Sequence, residues 1–442
     1  MLESGFDIIA SLPADLYLPE RIAQLQPDLI IIDAESDARD VLEHIVIATR
    51  DERRPIVLFT EDGATASIDA AVLYGLVYGV QMGIGGQQHD MAVLMNLNHS
   101  GQAVTLSAAL AREGAHDNGE LDAAHVLYGL VYGVQMGIGG QQRDMAVLMN
   151  LNHSGQAVTL SVALAREGAH DGPTLARYMR GAARPFAFAH TFPTGNHAML
   201  LQYWLAAHGI DPLRDARVMT VPPSQMVAAL RAGQMDGFCA GEPWGYKAIV
   251  DGVGVTATTS GAIWPDHPGK VLGTSAAFAQ QHPNSCRALI AAVLEAGRWI
   301  DASDSNRLAM AAALAEPAYL HTPQETLAPR ILGHYQDGLG KTWDEAHGLK
   351  FYGDGAVNFP YLSDGMWFMT QHRRWGLLRD EPDYLAVARQ VNRIDLYRQA
   401  AEMTATPLPA SPMRSSTLCD GVVWDGSAPE AYAASFAIGH CF

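Results

Sequence analysis

The sequence has few cysteines and little positive charge for its length. Its 442 residues include 4 cysteines, and 29 lysines and arginines stand against 47 aspartates and glutamates, which gives a net charge of −18. The cysteines are far apart and form no Cys-x-x-Cys pair, which argues against a zinc site and against a disulfide-dense secreted domain. A nucleic-acid-binding surface needs clustered cations and is also disfavoured. Any anion that this chain handles must therefore be held by a local pocket.

Signals for export, membrane insertion and common catalysis are also lacking. Glu3 and Asp7 stand where a secretory signal would carry basic residues, and the longest uncharged run, residues 71–88, is interrupted by glycines and glutamines. We therefore expect a cytoplasmic protein without membrane insertion. The chain has no phosphate-binding loop, no His-Glu-x-x-His motif and no nucleophile elbow. These absences predict a protein that is not an enzyme and that holds no metal and no cofactor.

An internal repeat is the most conspicuous feature that is present. Residues 72–117 recur as residues 126–171 with two differences, His89 against Arg143 and Ala108 against Val162. Two near-identical copies argue against a solenoid, which needs three or more units to bury a continuous core. We interpret the repeat as a recent tandem duplication or a splice in the reading frame, in which only one copy occupies its place in a fold.

Short strand and helix patterns alternate ahead of the repeat. The predicted strands cover residues 6–12, 27–33 and 55–62, with a helix at 38–50. The apolar run at residues 29–32 is typical of a parallel strand that is buried on both faces. Asp33 would then lie at the carboxyl end of this strand, where open α/β sheets place their ligands.

Residues 27–63, PDLIIIDAESDARDVLEHIVIATRDERRPIVLFTEDG, resemble the receiver domain of nitrate-responsive antiterminator regulators of the NasT kind. The resemblance implies a truncated, flavodoxin-like receiver fragment over residues 1–70, with Asp33 at the phosphoacceptor position and Thr60 as the switch hydroxyl. The acidic metal-binding pair and the final lysine-bearing strand are absent, so phosphoryl transfer would lack its cation. We therefore favour Asp33 as a residue that ends a strand over Asp33 as a phosphoacceptor. The regulator's RNA-binding helices are absent too, and we expect no direct nucleic-acid contact.

Four residues in the second half of the chain are candidate anion ligands. His197 falls in the first turn of a predicted helix, and a helix N-terminus with free backbone N–H groups attracts anions. Gln156 offers a neutral amide at a strand start, Gly241 lets a backbone N–H approach a ligand, and Lys270 offers a positive charge on a loop. Each residue alone is more often structural. Together they would surround one small planar anion if two α/β lobes face each other.

Several stretches after residue 118 follow one another as in a known family. They include GQAVTLS, FPTGNHAMLLQYWLAAHGI, DGFCAGEPW and HPGKVLG. Residues 118–403 resemble the nitrate/bicarbonate-binding proteins of ABC transport systems and, among these, the NasS-like cytoplasmic nitrate/nitrite sensors. The resemblance implies a two-lobed type 2 periplasmic-binding-protein fold that closes on an anion. It also places Gln156, His197, Gly241 and Lys270 at anion-binding positions. The family's tryptophan-bearing stretch at the start of the first lobe is missing, which predicts an incomplete first lobe.

The resemblance implies a nitrate/nitrite-binding sensor that regulates nitrate assimilation. Its partner would be an antiterminator-type response regulator, and its signal would be ligand-induced lobe closure. Three alternatives stay open: the substrate-binding component of a nitrate/bicarbonate ABC transporter, a pyrimidine-synthase-like enzyme of the same fold, and a rearranged fusion product without function. The enzyme alternative calls for a cysteine-dense motif, whereas Cys239 stands alone.

These patterns predict an α/β protein with four segments. They are a truncated receiver-like fragment (1–70), a duplicated segment (71–117, a copy of 125–171), a two-lobed anion-binding module (118–403, with its second lobe at about 164–275) and a C-terminal tail (404–442).

Overall fold

The computed structural model describes residues 123–315, 320 and 322–439, together with four short strands at 30–33, 56–59, 93–95 and 103–105. The chain divides into two units, Met1–Leu73 and Tyr74–Phe442. The helix expected at 38–50 and the hydroxyl of Thr60 lie outside the described residues.

Two parallel strands are described in the first unit. They are β1 (Ile30–Asp33) and β2 (Ile56–Phe59), and the ladder ends with Asp33 opposite Phe59. Parallel neighbours need a long crossover connection, which residues 34–55 are long enough to supply. Asp33 therefore lies at the carboxyl end of a strand, as its sequence context predicts, while the receiver assignment of residues 1–70 stays a prediction.

The two copies of the repeat pair differently. In the first copy, β3 (Val93–Met95) and β4 (Ala103–Thr105) pair with each other as an antiparallel hairpin. The equivalent residues of the second copy lie in β6 (Met145–Asn150) and β7 (Gln156–Ser161), which belong to two different sheets. The same sequence therefore takes different partners, because strand pairing depends on what the rest of the chain offers.

A three-stranded sheet forms the first lobe. Its order is β5 (Ala123–Leu127), β12 (Lys270–Ser275) and β6, with β12 in the middle and antiparallel to both neighbours. Strand β12 comes from much later in the chain than its neighbours. The second lobe therefore interrupts the sequence of the first.

A five-stranded sheet forms the second lobe. Its strands are β7, β8 (Ala187–His190), β9 (Arg217–Thr220), β10 (Gly237–Gly241) and β11 (Gly254–Thr259), in the order β11-β7-β10-β8-β9. Strands β10, β8 and β9 are parallel, and β7 is antiparallel to both of its neighbours. The sheet therefore spans residues 156–259, since β7 belongs to it and β12 does not. The bounds of about 164–275 for the whole second lobe stay a prediction.

Helices cover these sheets and form most of the chain after β12. They are α1 (Tyr128–Gln135), α2 (Val162–Arg166), α3 (Gly172–Gly181), α4 (Asn196–Ala207), α5 (Pro223–Arg231), α6 (Trp244–Val250), α7 (Ser260–Ile263), α8 (Ala276–Gln281), α9 (Pro283–Asp301), α10 (Asp304–Ala315), α11 (Gln324–Ile331), α12 (Leu362–Arg374), α13 (Tyr384–Val391), α14 (Ile394–Met403) and α15 (Pro429–Ala434). Two hairpins, β13 (His334–Gln336) with β14 (Thr342–Asp344) and β15 (Ser416–Thr417) with β16 (Val423–Trp424), complete the described part. None of these helices is both long and apolar enough to cross a bilayer.

Aromatic side chains join the lobes to the C-terminal segment. The rings of Trp264 and Trp367 are 4.4 Å apart, and Tyr203 of α4 packs on Trp367. Trp424 of the C-terminal segment packs on Tyr432, whose hydroxyl accepts a hydrogen bond from Trp367 Nε1. Large buried rings contribute much of a core's stability. This cluster therefore ties α4, α12 and the C-terminal segment into one core.

Candidate functional site

Two chain connections cross between the sheets and run side by side. Residues 151–155 lead from β6 to β7, and residues 260–269 lead from β11 to β12. Three backbone hydrogen bonds join them: Leu151 N to Lys270 O at 2.8 Å, Gly269 N to Asn152 O at 2.8 Å, and Ser154 N to His267 O at 3.0 Å. We call residues 151–155 and 267–270 the crossing ribbon. It fixes the start of β7 and the start of β12 relative to each other.

Gln156 directly follows residues 151–155 of the crossing ribbon and is the first residue of β7. Its backbone N donates to Ser260 Oγ at 3.2 Å, and its side chain is buried. The Oε1 atom has no hydrogen-bond partner in the described part of the chain. Because amide O and N positions are assigned from their partners, the same side chain can present either an acceptor or two donors to a ligand.

His197 lies in the first turn of α4, which is anchored to the ribbon by its neighbour. Asn196 Nδ2 donates to the carbonyls of Pro268 and Gly269 at 2.8 and 2.7 Å, and Asn196 Oδ1 accepts from Gly129 N at 3.0 Å. This side chain therefore joins α1, α4 and the ribbon at one point.

The imidazole of His197 has one partnered and one free nitrogen. Nδ1 lies 2.5 Å from Thr191 Oγ1, whereas Nε2 is buried without a hydrogen-bond partner among the described residues. Burial, and then the positive charge of Lys270, lowers the pKa of His197 well below its usual value. The ring is therefore neutral at pH 7 and carries a single N–H.

Gly241 leaves room in front of that free nitrogen. It ends β10 opposite Gln156 of β7. A Cβ atom at this position would lie 3.8 Å from His197 Nε2 and 4.0 Å from Gly155 O. Apart from the chain neighbours of Gly241, no other described atom lies within 4 Å of that point, so no side chain fills the room in front of Gly241.

Lys270 supplies the positive charge. It starts β12, and its backbone N donates to Asn152 Oδ1 at 3.0 Å. Burial lowers the pKa of Lys270 to about 8. The ion pairs that the structure describes, such as Lys350 with Asp266, do not include it. Lys270 is thus a partly buried cation without a carboxylate partner in the described part of the chain.

The structure brings together all four residues that the sequence predicts as anion ligands. Gln156, His197 and Gly241 come from the second lobe, and Lys270 comes from the first-lobe sheet. Lys270 begins a strand, where the sequence suggested a loop. A cation, a neutral imidazole and an amide are donors that suit a small monovalent anion. Asp33 lies in the other unit, and its side chain is outside the described set.

Three residues that position this site were missed at the sequence level. Asn152 holds the backbone of Lys270, Asn196 holds the start of α4, and Thr191 holds the ring of His197. Asn196 directly precedes His197 at the start of a predicted helix, so its sequence position was a usable signal. No such signal was present for Asn152, whose partner Lys270 is distant in the chain, or for Thr191, whose partner His197 lies across a turn.

A buried ion pair lies directly beside the site. Glu242 follows Gly241, and its Oε1 is 3.3 Å from Arg330 Nε. The Arg330 guanidinium stacks 3.8 Å above the ring of Tyr335, and its Nη2 donates to Thr256 Oγ1 at 3.0 Å. Burial raises the pKa of Glu242, and the charge of Arg330 opposes that rise. This carboxylate therefore has a counter-charge within the protein.

The described residues contain no cluster of three or more His, Cys, Asp or Glu side chains arranged to hold a metal ion. Two α/β lobes joined where the chain crosses twice are typical of one class: a solute-binding protein with a periplasmic-binding-protein-like fold.

Comparisons with known proteins agree with this class. The profile of the NMT1-like family matches residues 59–118 and 109–315, stretches that contain both copies of the repeat. The chain belongs to this family. It is 36% identical over 330 residues to the nitrate/nitrite binding protein NrtA of Synechocystis sp., covering 73% of each chain. It is 31% identical over 316 residues to the bicarbonate-binding protein CmpA of Synechococcus sp., covering 68% of this chain and 70% of the relative.

A solved structure extends the comparison to three dimensions. The crystal structure of the periplasmic nitrate-binding protein NrtA from Synechocystis superposes with a TM-score of 0.70 at 29% identity. The alignment covers 93% of this chain and 98% of the other. These relatives are named as binding proteins, which is consistent with a protein that is not an enzyme.

Proposed function

We propose that this protein binds nitrate or nitrite in the space bordered by Gln156, His197, Gly241 and Lys270. The observation that carries the proposal is Lys270, a cation that forms no ion pair in the described chain and whose charge acts on His197, the side chain with the free Nε2. A buried charge without a partner is costly, and the binding of an anion removes that cost. The names of the relatives, nitrate/nitrite and bicarbonate binding proteins, support the same ligand class.

The donor set favours an anion that only accepts hydrogen bonds. Lys270 supplies ammonium protons, His197 supplies one imidazole N–H, and Gln156 supplies amide protons. Nitrate and nitrite carry no proton and can accept from all three. Bicarbonate carries a hydroxyl that must also donate. Gln156 would have to turn Oε1 toward that hydroxyl, and its amide would then contribute fewer donors to the anion than it does to nitrate or nitrite. We therefore expect nitrate and nitrite to bind more tightly than bicarbonate.

Binding should favour closure of the two lobes. An anion at this position contacts Lys270 on the first-lobe sheet, and Gln156 and His197 on the second lobe. A ligand that interacts better with the closed arrangement shifts the population toward it. The crossing ribbon provides two adjacent antiparallel connections about which such a movement can occur.

The proposal extends to a cytoplasmic sensor that acts through a protein partner. The receiver-like sequence of residues 1–70 supports this role, because it resembles a fragment of an antiterminator-type response regulator. Closure would then change the affinity for that regulator. The second candidate is a component that delivers the anion to a transporter, which is supported by a relative named as a periplasmic nitrate-binding protein.

Calorimetric titration with nitrate, nitrite and bicarbonate tests the binding proposal. We expect binding to the wild-type chain and its loss in Lys270→Ala and His197→Ala. Lys247→Ala is the matched control, because this second-lobe lysine already pairs with Asp251 at 3.4 Å and should bind as wild type. A folded wild-type chain that binds none of the three anions would contradict the proposal and favour the rearranged, non-functional product.

Size-exclusion chromatography with a purified antiterminator-type response regulator tests the sensor proposal. We expect a complex without nitrate or nitrite and its dissociation when either anion is added, with Lys270→Ala remaining in the complex. If anion binding is intact but no complex forms in either condition, the sensor role is wrong and the transport role is favoured.

A further inference from the structure

We propose that Thr191 is a positioning residue that fixes the ring proton of His197 on Nε2, the nitrogen that faces the anion space. This inference rests on the proposed binding of nitrate or nitrite. It assigns a role to a residue that does not itself border the anion.

The contact between the two side chains is short and isolated. Thr191 follows β8, is buried, and places Oγ1 at 2.5 Å from His197 Nδ1. In the described part of the chain, this is the only hydrogen bond of the Thr191 hydroxyl. The other ring nitrogen, Nε2, has no partner there and lies 3.8 Å from the point where a Gly241 side chain would begin.

Counting protons separates the two tautomers. If Nδ1 carries the proton, it donates to Oγ1, the threonine hydroxyl proton has no acceptor, and Nε2 turns a lone pair toward the anion. If Nε2 carries the proton, the hydroxyl donates to Nδ1, and Nε2 donates to the anion. The second arrangement satisfies both donors once a ligand or solvent oxygen lies at Nε2, whereas the first leaves the hydroxyl proton without an acceptor in the bound and the ligand-free protein alike. Buried donors without acceptors are costly. The hydroxyl therefore selects the tautomer that an anion requires.

The neutral state of the ring makes this selection necessary. A doubly protonated imidazole would donate from both nitrogens whatever Thr191 did. Burial opposes that state, as do Lys270, His190 and His267, which also lower the pKa of His197. With one proton on the ring, the partner of Nδ1 decides whether Nε2 attracts or repels an anion.

The test combines two substitutions with two measurements. Thr191→Val keeps the shape of the side chain and removes the hydroxyl, whereas Thr191→Ser keeps the hydroxyl. Calorimetry should show nitrate binding about tenfold weaker in Thr191→Val, the size expected for one hydrogen bond, and within about threefold of wild type in Thr191→Ser. Nitrogen-15 NMR of ligand-free protein should show His197 protonated on Nε2 in wild type and Thr191→Ser, with the Nδ1 tautomer populated in Thr191→Val.

The outcomes separate this proposal from the proposed function. If wild type binds none of the anions, the proposed function fails, but the tautomer seen by NMR still decides the role of Thr191. If wild-type His197 is protonated on Nδ1, or if Thr191→Val binds nitrate as wild type does, the Thr191 proposal is wrong while the anion site stands. If Thr191→Val does not fold, the wild-type spectrum and Thr191→Ser decide alone.

Discussion

Two cations with little exposure to solvent, Arg330 and Lys270, differ in whether the protein supplies a counter-charge. Arg330 is almost fully buried, with Glu242 3.3 Å away and the ring of Tyr335 against its guanidinium. Lys270 has no carboxylate partner in the described chain, and burial depresses its pKa to about 8. The first charge is compensated within the protein, whereas the second is left for a molecule from outside.

The difference separates a buried charge that is paired within the protein from one that is available to a ligand. Taking a cation out of water costs free energy that a well-placed anion can offset. For Arg330 that anion is Glu242 of the same chain, so removal of either side chain leaves the other charge buried without a counter-charge. For Lys270 we propose that the anion is the ligand. Removal of the lysine should therefore remove the cost of desolvating an unpaired charge from the ligand-free protein. The substitutions below test this contrast, from the largest expected effect to the smallest.

Arg330→Met should be the most destabilising change. It leaves the Glu242 carboxylate buried without a counter-charge, and the expected loss is about 3–5 kcal/mol in the free energy of unfolding. Urea denaturation measures it. Glu242→Gln, which removes the other charge and keeps the side-chain shape, is the matched comparison. Stability within about 1 kcal/mol of wild type in Arg330→Met would remove the contrast between the two cations.

Lys270→Met should have the opposite effect on stability and a large effect on binding. The ligand-free protein should be as stable as wild type or more so, because a desolvated charge is lost. Nitrate affinity should fall at least about a hundredfold, since a charge-assisted contact is removed. Urea denaturation and calorimetry measure the two effects. A destabilisation like that of Arg330→Met would show that Lys270 has an internal partner after all.

Nitrate binding should weaken above pH 8. Folding lowers the pKa of Lys270 from 10.5 to about 8, so the ammonium is present below pH 8 and is lost above it. Affinity should then fall by up to about tenfold per pH unit. The unfolded chain keeps this proton up to pH 10.5, so the stability of the ligand-free protein should rise with pH between 8 and 10.5. Calorimetry at several pH values is the measurement, and Lys270→Arg, if it binds, should lack the decline. A flat wild-type profile would contradict the assignment.

Gly241→Ala should have the smallest effect. Its Cβ would lie 3.8 Å from His197 Nε2, which is ordinary van der Waals contact, so stability should not change. The methyl group narrows the anion space, and we expect nitrate affinity to fall about three- to tenfold. Gly237→Ala in the same strand is the contrast: its Cβ would lie 2.7 Å from Thr159 O and should destabilise the fold. Unchanged affinity in Gly241→Ala would place the anion elsewhere.

The sequence was informative wherever a local pattern determines the structure. His197 was predicted in the first turn of a helix, and Gln156 at the start of a strand, and both are found there. The assignment of strands to sheets was less predictable. Lys270 begins a strand of the first-lobe sheet, and β7 belongs to the second, because pairing depends on partners far away in the chain.

The two copies of the repeat show most clearly that strand pairing cannot be predicted from local sequence. Residues 93–95 pair with residues 103–105, whereas the equivalent residues 147–149 and 157–159 lie in separate sheets. The pairing of Glu242 with Arg330 was not predicted either, because Glu242 lies in the turn after β10 and Arg330 in α11, and no local sequence pattern connects them. Only a known fold shows which buried charges have a counter-charge within the protein and which do not.

The ionisation of Lys270 measures the central claim directly. Nitrogen-15 NMR of its ammonium group across a pH titration, with and without saturating nitrate, gives the pKa in both states. We predict a value of about 8 without ligand and an increase of at least about one unit with nitrate, because a bound anion stabilises the charged form. Nitrate that binds without changing this pKa would contradict the assignment of Lys270 as the charge that holds the anion.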